Sequence, residues 1–367
     1  MKRKTDFKPF QVGTIFNPIN INLSDLKPKY RTIEIKYPSR LNAMALDPSK
    51  ITSNNNLKYS PGEIIFKVKL YKKIKVTIND NTGNIEVSER TSRIPLVRHA
   101  ALLMKKALGF KNQLYIDVDN KNEVKHAGLG SSSGLIAAVA CAINELFANP
   151  IDQPNLLRYV SQNHGEEIEK NINYLYPVQC IGGSAAAGLY KGAMIVIAGE
   201  NTVISSMNIP NNYKVIIGIP SDFQKQDSQT LMSEEIKSFP KFMACGKKYG
   251  KEIAYRMLHD VFPAMKNGNL HVIGGLIYDY RYHMGSIDNC SYCYKKLPEL
   301  AKNFAFLKKE KIADVLSISS VGPAFFAISK DVKTCERTFK KYGMNVITTN
   351  IENNPYEVVK KGKYIHE

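Results

Sequence analysis

The most constraining feature of this chain is a glycine-serine segment that runs directly into a long apolar stretch. Residues 127–134 read Ala-Gly-Leu-Gly-Ser-Ser-Ser-Gly, and Leu-Ile-Ala-Ala-Val-Ala-Cys-Ala-Ile follows at once. Glycines let a backbone approach an anion closely, serines cap free amides, and a helix N-terminus carries about half a positive charge. The segment therefore predicts a phosphate-binding loop that opens a helix over about 131–147.

Two better-known phosphate loops do not fit this segment. A Walker loop ends in Gly-Lys-Ser/Thr, and no lysine stands at that place here. A dinucleotide loop needs a third glycine where Ser133 stands, and it follows a strand directly, whereas a polar turn over 119–123 intervenes here. A glycine-rich helix start that serves packing alone remains an open alternative.

Composition limits the class of protein. With 367 residues, of which 44% are hydrophobic, the chain is globular and long enough for two domains. No apolar run approaches the length of a membrane span, and the first residues lack the pattern of a secretory signal, so we expect a cytoplasmic protein without a membrane partner. Six sparse cysteines are expected to be reduced, and the isolated CxxC of Cys290 and Cys293 is weak evidence for a metal.

The formal net charge of +18 indicates an anionic partner: a nucleic acid, a membrane surface or a phosphorylated metabolite. Lysines alternate with apolar residues along predicted strands, for example over 66–70, as on a solvated sheet face. No arginine-rich patch interleaved with aromatic residues is visible, which disfavours nucleic acid. The charge is therefore compatible with a small phosphorylated ligand.

The order of predicted elements indicates an α+β protein of two domains. A basic N-terminal arm over 1–31 precedes a phosphate-binding domain over 32–200, and a second domain covers 201–367. Periodicity predicts strands over 33–37, 63–70, 74–78, 85–87, 114–118, 193–197, 214–220, 313–318, 325–328 and 345–348. It predicts helices over 94–108, 131–147, 153–169, 230–245, 247–266, 268–281 and 331–342, with a small-residue loop over 182–188.

Three motifs in this order resemble the GHMP small-molecule kinase superfamily. Residues 128–132, Gly-Leu-Gly-Ser-Ser, match its second motif, with Val124 in place of the usual proline, and Ser319–Pro323 match its C-terminal glycine-rich turn. The first motif lies in the opening strand, and the resemblance covers about residues 33–350. It implies a two-domain GHMP-kinase-like fold, with an N-terminal βαβ phosphate-loop domain and a C-terminal ferredoxin-like α/β layer. By the same resemblance a homodimer would be unsurprising.

Within that superfamily the chain most resembles the archaeal β-ribofuranosylaminobenzene 5′-phosphate synthases of methanopterin biosynthesis. The similar segments are Pro-Ser-Arg-Leu at 38–41, Ser-Glu-Glu at 233–235, residues 262–270 and residues 319–323. No aspartate stands between residues 180 and 199, where many GHMP kinases carry a base, and this fits a changed reaction. The chain departs from the synthase pattern at Asn42 (usually histidine), Ile181 (usually arginine) and Ser60 (usually an acid).

The resemblance implies that phosphoribosyl pyrophosphate condenses with a small aromatic acceptor of the aminobenzoate type, with Mg²⁺ present and with release of CO₂ and pyrophosphate. It assigns cation stabilisation or magnesium binding to Asp47, and phosphate or carboxylate binding to Arg40 and Lys58. The phosphate-binding residues it implies are Gly128, Leu129, Gly130, Ser131, Ser132 and Ser133. The implied substrate-binding residues are Ser39, Asn42, Gly182, Gly183, Ser184, Ser319, Ser320 and Gly322, and the implied metal ligands are Glu234 and Glu235.

Structural roles remain open for several of these residues. Asp47 can cap a turn before Pro48, Arg40 can form an exposed ion pair, and Glu234 and Glu235 can be ordinary acids of a first helical turn. His126, beside the phosphate loop, can contact phosphate or simply pack.

Two other functions also remain open. One is an ATP-dependent kinase for a small alcohol or phosphorylated metabolite, which would place ATP phosphates on the same loop and use Asp47 or a glutamate as its base. The other is a catalytically silent binding protein of the same fold, whose basic arm would hold RNA.

Overall fold

The computed structural model describes residues 8–19, 26–51, 60–120, 127–224 and 226–363. Its strands are β1 (Phe10–Gln11), β2 (Thr32–Ala45), β3 (Glu63–Thr82), β4 (Ile85–Val87), β5 (Asn112–Asp119), β6 (Gly165–Ile168), β7 (Asn171–Pro177), β8 (Met194–Ala198), β9 (Thr202–Met207), β10 (Lys214–Pro220), β11 (Val315–Ile318), β12 (Phe325–Ser329), β13 (Met344–Asn350) and β14 (Glu357–Lys361). Its helices are α1 (Ile94–Leu108), α2 (Ser131–Leu146), α3 (Gln153–Gln162), α4 (Gly183–Leu189), α5 (Ser228–Arg256), α6 (Phe262–Lys266), α7 (Leu270–Tyr282), α8 (Ser286–Asn289), α9 (Leu297–Lys309) and α10 (Val332–Lys341). None of the helices in this described part is long and apolar enough to cross a membrane.

The larger sheet has the order β14-β2-β3-β5-β4, and β8 and β9 extend it from β3. Apolar and polar residues alternate along the start of β2, and this alternation decides which face of the strand is buried. Ile33, Ile35 and Tyr37 are fully buried, while the residues between them are not. β3 is one strand of 20 residues, where alternation predicted two. The register shift at Pro38/Ser39 leaves residues 69 and 70 of β3 unpaired with β2, next to the predicted gap at 71–73, so a bulge rather than a loop interrupts the pattern.

The N-terminal βαβ unit is confirmed. β4 pairs with β5 in parallel, and α1 connects them over the predicted residues. α2 begins at Ser131, as predicted, and every residue of it except Ser133 is buried. A helix that is apolar all round must be covered on all sides, and α2 contacts α1, α3, α4 and the larger sheet.

Four predicted elements are wrong in extent or type. The helix predicted over 153–169 ends at Gln162, because the next residues form β6, which pairs with β7 and, through it, with β1 of the N-terminal arm. The small-residue loop predicted over 182–188 is largely helix α4, since its small side chains let it pack on the Tyr37 ring. The helices predicted over 230–245 and 247–266 are mostly one helix, α5, which a π-helical turn at Met257–Val261 joins to α6.

The second sheet has the antiparallel order β11-β12-β10-β13. Helices α5–α9 lie between β10 and β11 along the chain, and α10 lies between β12 and β13, which is the ferredoxin-like arrangement. β9 and β14 both lie beyond residue 200, yet they pair with strands of the larger sheet. Strand pairing in the larger sheet therefore crosses the predicted domain boundary at residue 200. The division into domains at that residue stays a prediction.

Adjacent glycines in α7 provide a matched test of how closely this helix packs on β11. A Cβ at Gly274 would lie 1.8 Å from the carbonyl oxygen of Asp314, whereas a Cβ at Gly275 would meet nothing within 4 Å. We expect Gly274→Ala to lower the free energy of unfolding by roughly 1–3 kcal/mol through overpacking. Gly275→Ala should raise it by up to about 1 kcal/mol through helix propensity. Urea unfolding measures both, and equal effects of the two substitutions would contradict this packing.

Candidate functional site

A cavity of about 300 Å³ lies where the two sheets meet. The phosphate loop, the end of β2, the start of α4, one side of α5 and the turn that precedes β12 contribute to its wall. Most of the predicted site residues line it: Arg40, Asn42, Gly128, Leu129, Gly130, Ser131, Ser132, Ser133, Gly182, Gly183, Ser184, Glu235, Ser320 and Gly322.

The phosphate loop requires its glycines for two separate reasons. Gly128 and Gly130 have φ of +86° and +69°, a region that side chains with a Cβ rarely adopt. A Cβ at Gly128 would lie 2.2 Å from the Ser319 carbonyl oxygen, and a Cβ at Gly130 would lie 3.0 Å from Arg40 Nε. Larger residues would therefore both strain the loop and fill the space that faces the cavity.

Hydrogen bonds join the three predicted motifs. The Ser319 hydroxyl and Arg40 Nη1 both donate to the Gly128 carbonyl, at 2.7 and 3.2 Å. The Asn42 amide donates to Ser319 Oγ at 3.1 Å, and the Ser320 amide donates to the Asn42 carbonyl at 2.9 Å. β2, the phosphate loop and the C-terminal turn thus form one connected wall.

Arg40 presents a cation beside the loop. Its Nε is buried and has no hydrogen-bond partner among the described residues. A guanidinium N–H placed in this way is suited to an oxyanion. The placement supports the phosphate-binding or carboxylate-binding role predicted for Arg40.

A buried ion cluster lies behind the loop serines, and sequence reasoning missed it. The Arg93 side chain is fully buried and donates to the hydroxyls of Ser131 and Ser132, at 2.9 and 2.6 Å. It also forms ion pairs with Glu166 at 2.5 Å and Glu167 at 2.9 Å, and the Ser132 hydroxyl donates to Glu166. Because Arg93 and Glu166 are 73 residues apart, no local pattern could have revealed the pair.

Glu63 is a second functional candidate that the sequence analysis missed. Its side chain lines the cavity and the residue is only 1% exposed. One carboxylate oxygen accepts the Gly183 amide at 2.7 Å, and the other accepts the Asn42 side-chain amide. Burial raises the pKa of this carboxyl, while the Arg40 charge opposes that rise. The only sequence signal is its position, three residues after Ser60, the place where the synthases carry an acid.

Arg281, on α7, is a further missed residue of the cavity wall. Its guanidinium is buried, donating from Nε to the Ala43 carbonyl at 2.7 Å and from Nη1 to Ser286 Oγ at 3.0 Å. Desolvation lowers its pKa. Its hydrogen-bond partners are neutral, so its charge is available to an anion in the cavity.

Other predicted residues lie elsewhere. The Asp47 carboxylate accepts the Ser49 amide at 3.1 Å, caps the 3₁₀ turn at Pro48–Lys50 and is not part of the described cavity wall. Ser39 and Ser319 are likewise outside that wall, and Ser39 accepts a hydrogen bond from Lys72. Lys58, Val124 and His126 lie outside the described residues.

The two predicted metal ligands are separated in their surroundings. Glu234 forms an exposed ion pair with Lys237 and is not part of the described cavity wall. Glu235 lines the cavity, and burial raises the pKa of its carboxyl to about 7. The structure therefore does not bring the two carboxylates together at the cavity.

Residues 95–173 match the model of the GHMP kinases N-terminal domain. The chain has the GHMP-kinase fold. A homoserine kinase of Buchnera aphidicola subsp. Schizaphis graminum (strain Sg) is 28% identical over 226 residues, which are 59% of this chain and 62% of that relative. The chain thus matches less than two thirds of this relative's length.

Solved structures agree on the GHMP-kinase fold. A homoserine kinase from Cytophaga hutchinsonii matches with a TM-score of 0.58 at 14% identity, covering 93% of this chain and all of that one. The mevalonate diphosphate decarboxylase from Staphylococcus aureus matches with a TM-score of 0.60 at 12% identity, covering 90% of this chain and 98% of its own. With the domain match, these likenesses support the GHMP kinase superfamily; they do not show a particular closeness to the synthases.

The buried carboxylate of Glu63 predicts a pH-dependent stability. Because its folded-state pKa is raised, the folded state binds this proton more tightly than the unfolded chain does. Its contribution to the free energy of unfolding therefore falls as the pH rises from the ordinary value of 4.5 through the folded pKa. Relative to wild type, Glu63→Gln should gain stability across that window and show a constant difference above it.

Urea unfolding over a pH series measures this difference. Glu310→Gln, at an exposed position, is the matched control and should show no such trend. A pH-independent difference between wild type and Glu63→Gln would contradict the assignment.

Proposed function

We propose that the protein is an ATP-dependent kinase that transfers phosphate to the hydroxyl group of a small molecule. The observation that carries this proposal is the convergence of the glycine-serine loop, Arg40 and Glu166 on one cavity. Such a site holds and orients phosphate groups, which is most of what phosphoryl transfer asks of a protein. The similarity to a homoserine kinase favours a kinase over the synthase reaction.

The ATP phosphates would lie on the loop at the N-terminus of α2. There the free amides of the first helical turn and Arg40 supply donors to the phosphate oxygens. Arg93, buried beneath Ser131 and Ser132, fixes the two hydroxyls from behind. The loop is therefore ordered before the nucleotide arrives.

Ser132 and Glu166 are the residues that would hold Mg²⁺. Their side-chain oxygens are 2.5 Å apart, and Glu166 lines the cavity next to the loop. A hydroxyl and a carboxylate are hard oxygen donors that suit Mg²⁺ when nucleotide phosphates and water complete the shell. Bound there, the ion would supply charge neutralisation of the phosphates. Glu235 remains a candidate from the other side of the cavity.

The acceptor would be small, hydroxylated and anionic. A cavity of about 300 Å³ leaves limited space beyond the phosphates. Arg281 contributes a buried positive charge to its wall, which suits a carboxylate or phosphate on the acceptor. L-homoserine has this chemistry and is the first acceptor to test.

The synthase-like transfer is the second candidate, and the apolar side of the cavity favours it. Leu231, Ile236 and Phe239 of α5 line this side, and an aromatic acceptor of the aminobenzoate type would pack against them. In that reaction the loop and Arg40 would hold phosphoribosyl pyrophosphate. The chemistry of the phosphate donor therefore separates the two candidates.

Thermal unfolding with Mg²⁺ and either ATP or phosphoribosyl pyrophosphate tests the proposal. A ligand that binds only the folded state raises the Tm. At a ligand concentration of a hundred times Kd, it adds about 2.7 kcal/mol to the free energy of unfolding. We expect ATP to raise the wild-type Tm and Arg40→Gln to lose most of that rise. Arg337→Gln, an exposed residue of α10, should keep it.

The other outcomes are equally informative. A response to phosphoribosyl pyrophosphate alone would replace the kinase with the synthase-like transfer. No response to either ligand, together with RNA binding that weakens steeply with salt, would favour the silent binding protein.

A further inference from the structure

The fold brings a carboxyl side chain from β3 to the segment around α4, which contains no aspartate of its own. No aspartate lies between residues 180 and 199, so the segment around α4 has no such base of its own. Glu63 reaches this segment from β3 and accepts the Gly183 amide at 2.7 Å. We infer that Glu63 is the proton acceptor for the acceptor hydroxyl, from its position between Gly183, Asn42 and Arg40 in the cavity wall. The inference rests on the proposed kinase function.

The position of Glu63 relative to the phosphate loop supports this role. Ser184, next to Gly183, accepts a hydrogen bond from Ser133 of the loop at 2.7 Å. A Cβ at Gly130 would lie 2.7 Å from that same Ser184 hydroxyl. The carboxylate is thus one residue removed from a side chain that touches the loop, close to where the transferred phosphate would lie.

The approach of Glu63 to α4 depends on glycine. A Cβ at Gly183 would lie 2.4 Å from the nearer Glu63 carboxylate oxygen, inside the contact limit for any side chain. Gly183 therefore admits the carboxylate, while Gly182, with φ of +108°, shapes the helix start.

The electrostatic surroundings of Glu63 suit proton transfer. A carboxylate has about four lone-pair sites, and the two hydrogen bonds described above leave capacity for a substrate hydroxyl. Burial makes the carboxylate a stronger base than an exposed one, while Arg40 favours its ionised form. A general base works best when its pKa lies near the working pH, and both effects act on that property.

A purely structural role accounts for less. No ion pair of Glu63 occurs among the described residues, so its buried charge is compensated only by hydrogen bonds and by Arg40 at a distance. A neutral glutamine could accept the same Gly183 amide without that desolvation cost. A titratable carboxyl at this buried position therefore offers proton transfer, which a glutamine could not.

The proposed reaction transfers the γ-phosphate of ATP to the acceptor hydroxyl. The acceptor oxygen forms a bond to the γ-phosphorus of ATP, and the bond from that phosphorus to the β-γ bridging oxygen breaks. ADP leaves with the electron pair, and the hydroxyl proton passes to the Glu63 carboxylate. That proton returns to water when the products leave.

The test uses the full chain with Mg²⁺ and ATP, and measures ADP formed with L-homoserine and with water as phosphoryl acceptors. We expect Glu63→Gln to lower kcat roughly 10²–10⁴-fold while the ATP-induced rise in Tm stays unchanged. In the wild type, kcat should fall toward acid pH as Glu63 becomes protonated. This fall should vanish in Glu63→Gln and persist, at a lower kcat, in Glu63→Asp. Glu310→Gln should match wild type in all three readouts.

Each other outcome overturns the inference in a distinct way. A folded Glu63→Gln that keeps the wild-type kcat and pH profile removes Glu63 from the reaction while the kinase proposal stands. If the wild-type protein binds ATP yet forms no ADP with either acceptor, there is no phosphoryl transfer in which Glu63 could accept a proton, and the inference is wrong. Absence of ATP binding overturns the kinase proposal itself. Should Glu63→Gln fail to fold, the pH profile of Glu63→Asp decides, and an unchanged profile contradicts the inference.

Discussion

The carbonyl of Gly128 is the point on which the site depends. It accepts hydrogen bonds from Ser319 of the C-terminal turn and from Arg40 of β2, so one oxygen connects the phosphate loop to both sheets. The contact exists only because position 128 has no Cβ and a positive φ. Because loop, turn and strand share this oxygen, their hydrogen bonds form without a ligand, which preorganises the cavity.

Buried ionisable side chains lie on both sides of the phosphate loop. Removing them from water costs free energy, so each needs partners in the surrounding structure. Arg93 adopts φ +63°, which costs a residue with a Cβ about 1–2 kcal/mol. Its ion pairs with Glu166 and Glu167 compensate the buried guanidinium charge, and removing one partner of a buried pair costs roughly 3–5 kcal/mol. On the other side Glu63 forms no ion pair within the described part of the chain; it accepts two amide hydrogen bonds and feels the Arg40 charge. The carboxylates behind the loop are therefore paired with Arg93, whereas the Glu63 carboxyl has only hydrogen-bond donors and remains accessible to a substrate.

Local sequence patterns identified the elements whose physics is local. α1 and β10 have the predicted bounds and α2 differs by one residue, because periodicity, a positive-φ glycine and strand alternation each act within a few residues. α4 was missed because Gly, Ser and Ala have no helical periodicity to read. The motifs that carry the resemblance, at Gly128 and Ser319, do meet in space.

The residues that sequence reasoning missed share a different property. Glu63 and Gly183 are 120 residues apart and Arg93 and Glu166 are 73 apart, so their pairing depends on the fold as a whole. A single buried acid in a strand cannot be distinguished from an exposed one by alternation alone, because β3 is buried on both faces where Glu63 lies. Asp47 shows the converse, since an acid next to a promising strand end is occupied as a turn cap.

The absence of an aspartate near α4 has two physical interpretations, and Glu63 changes their balance. Without a carboxylate in the cavity, the absence would favour a reaction that needs no base, such as transfer to a ring carbon. With Glu63 hydrogen-bonded to Gly183, a proton acceptor is present at the same helix but comes from a neighbouring strand. A fold that brings β3 and α4 together can carry its acid on either element, because proton transfer depends on the position of the carboxylate oxygen and not on the segment that supplies it. The missing aspartate is thus compatible with hydroxyl phosphorylation, and the identity of the phosphate donor becomes the property that separates the two reactions.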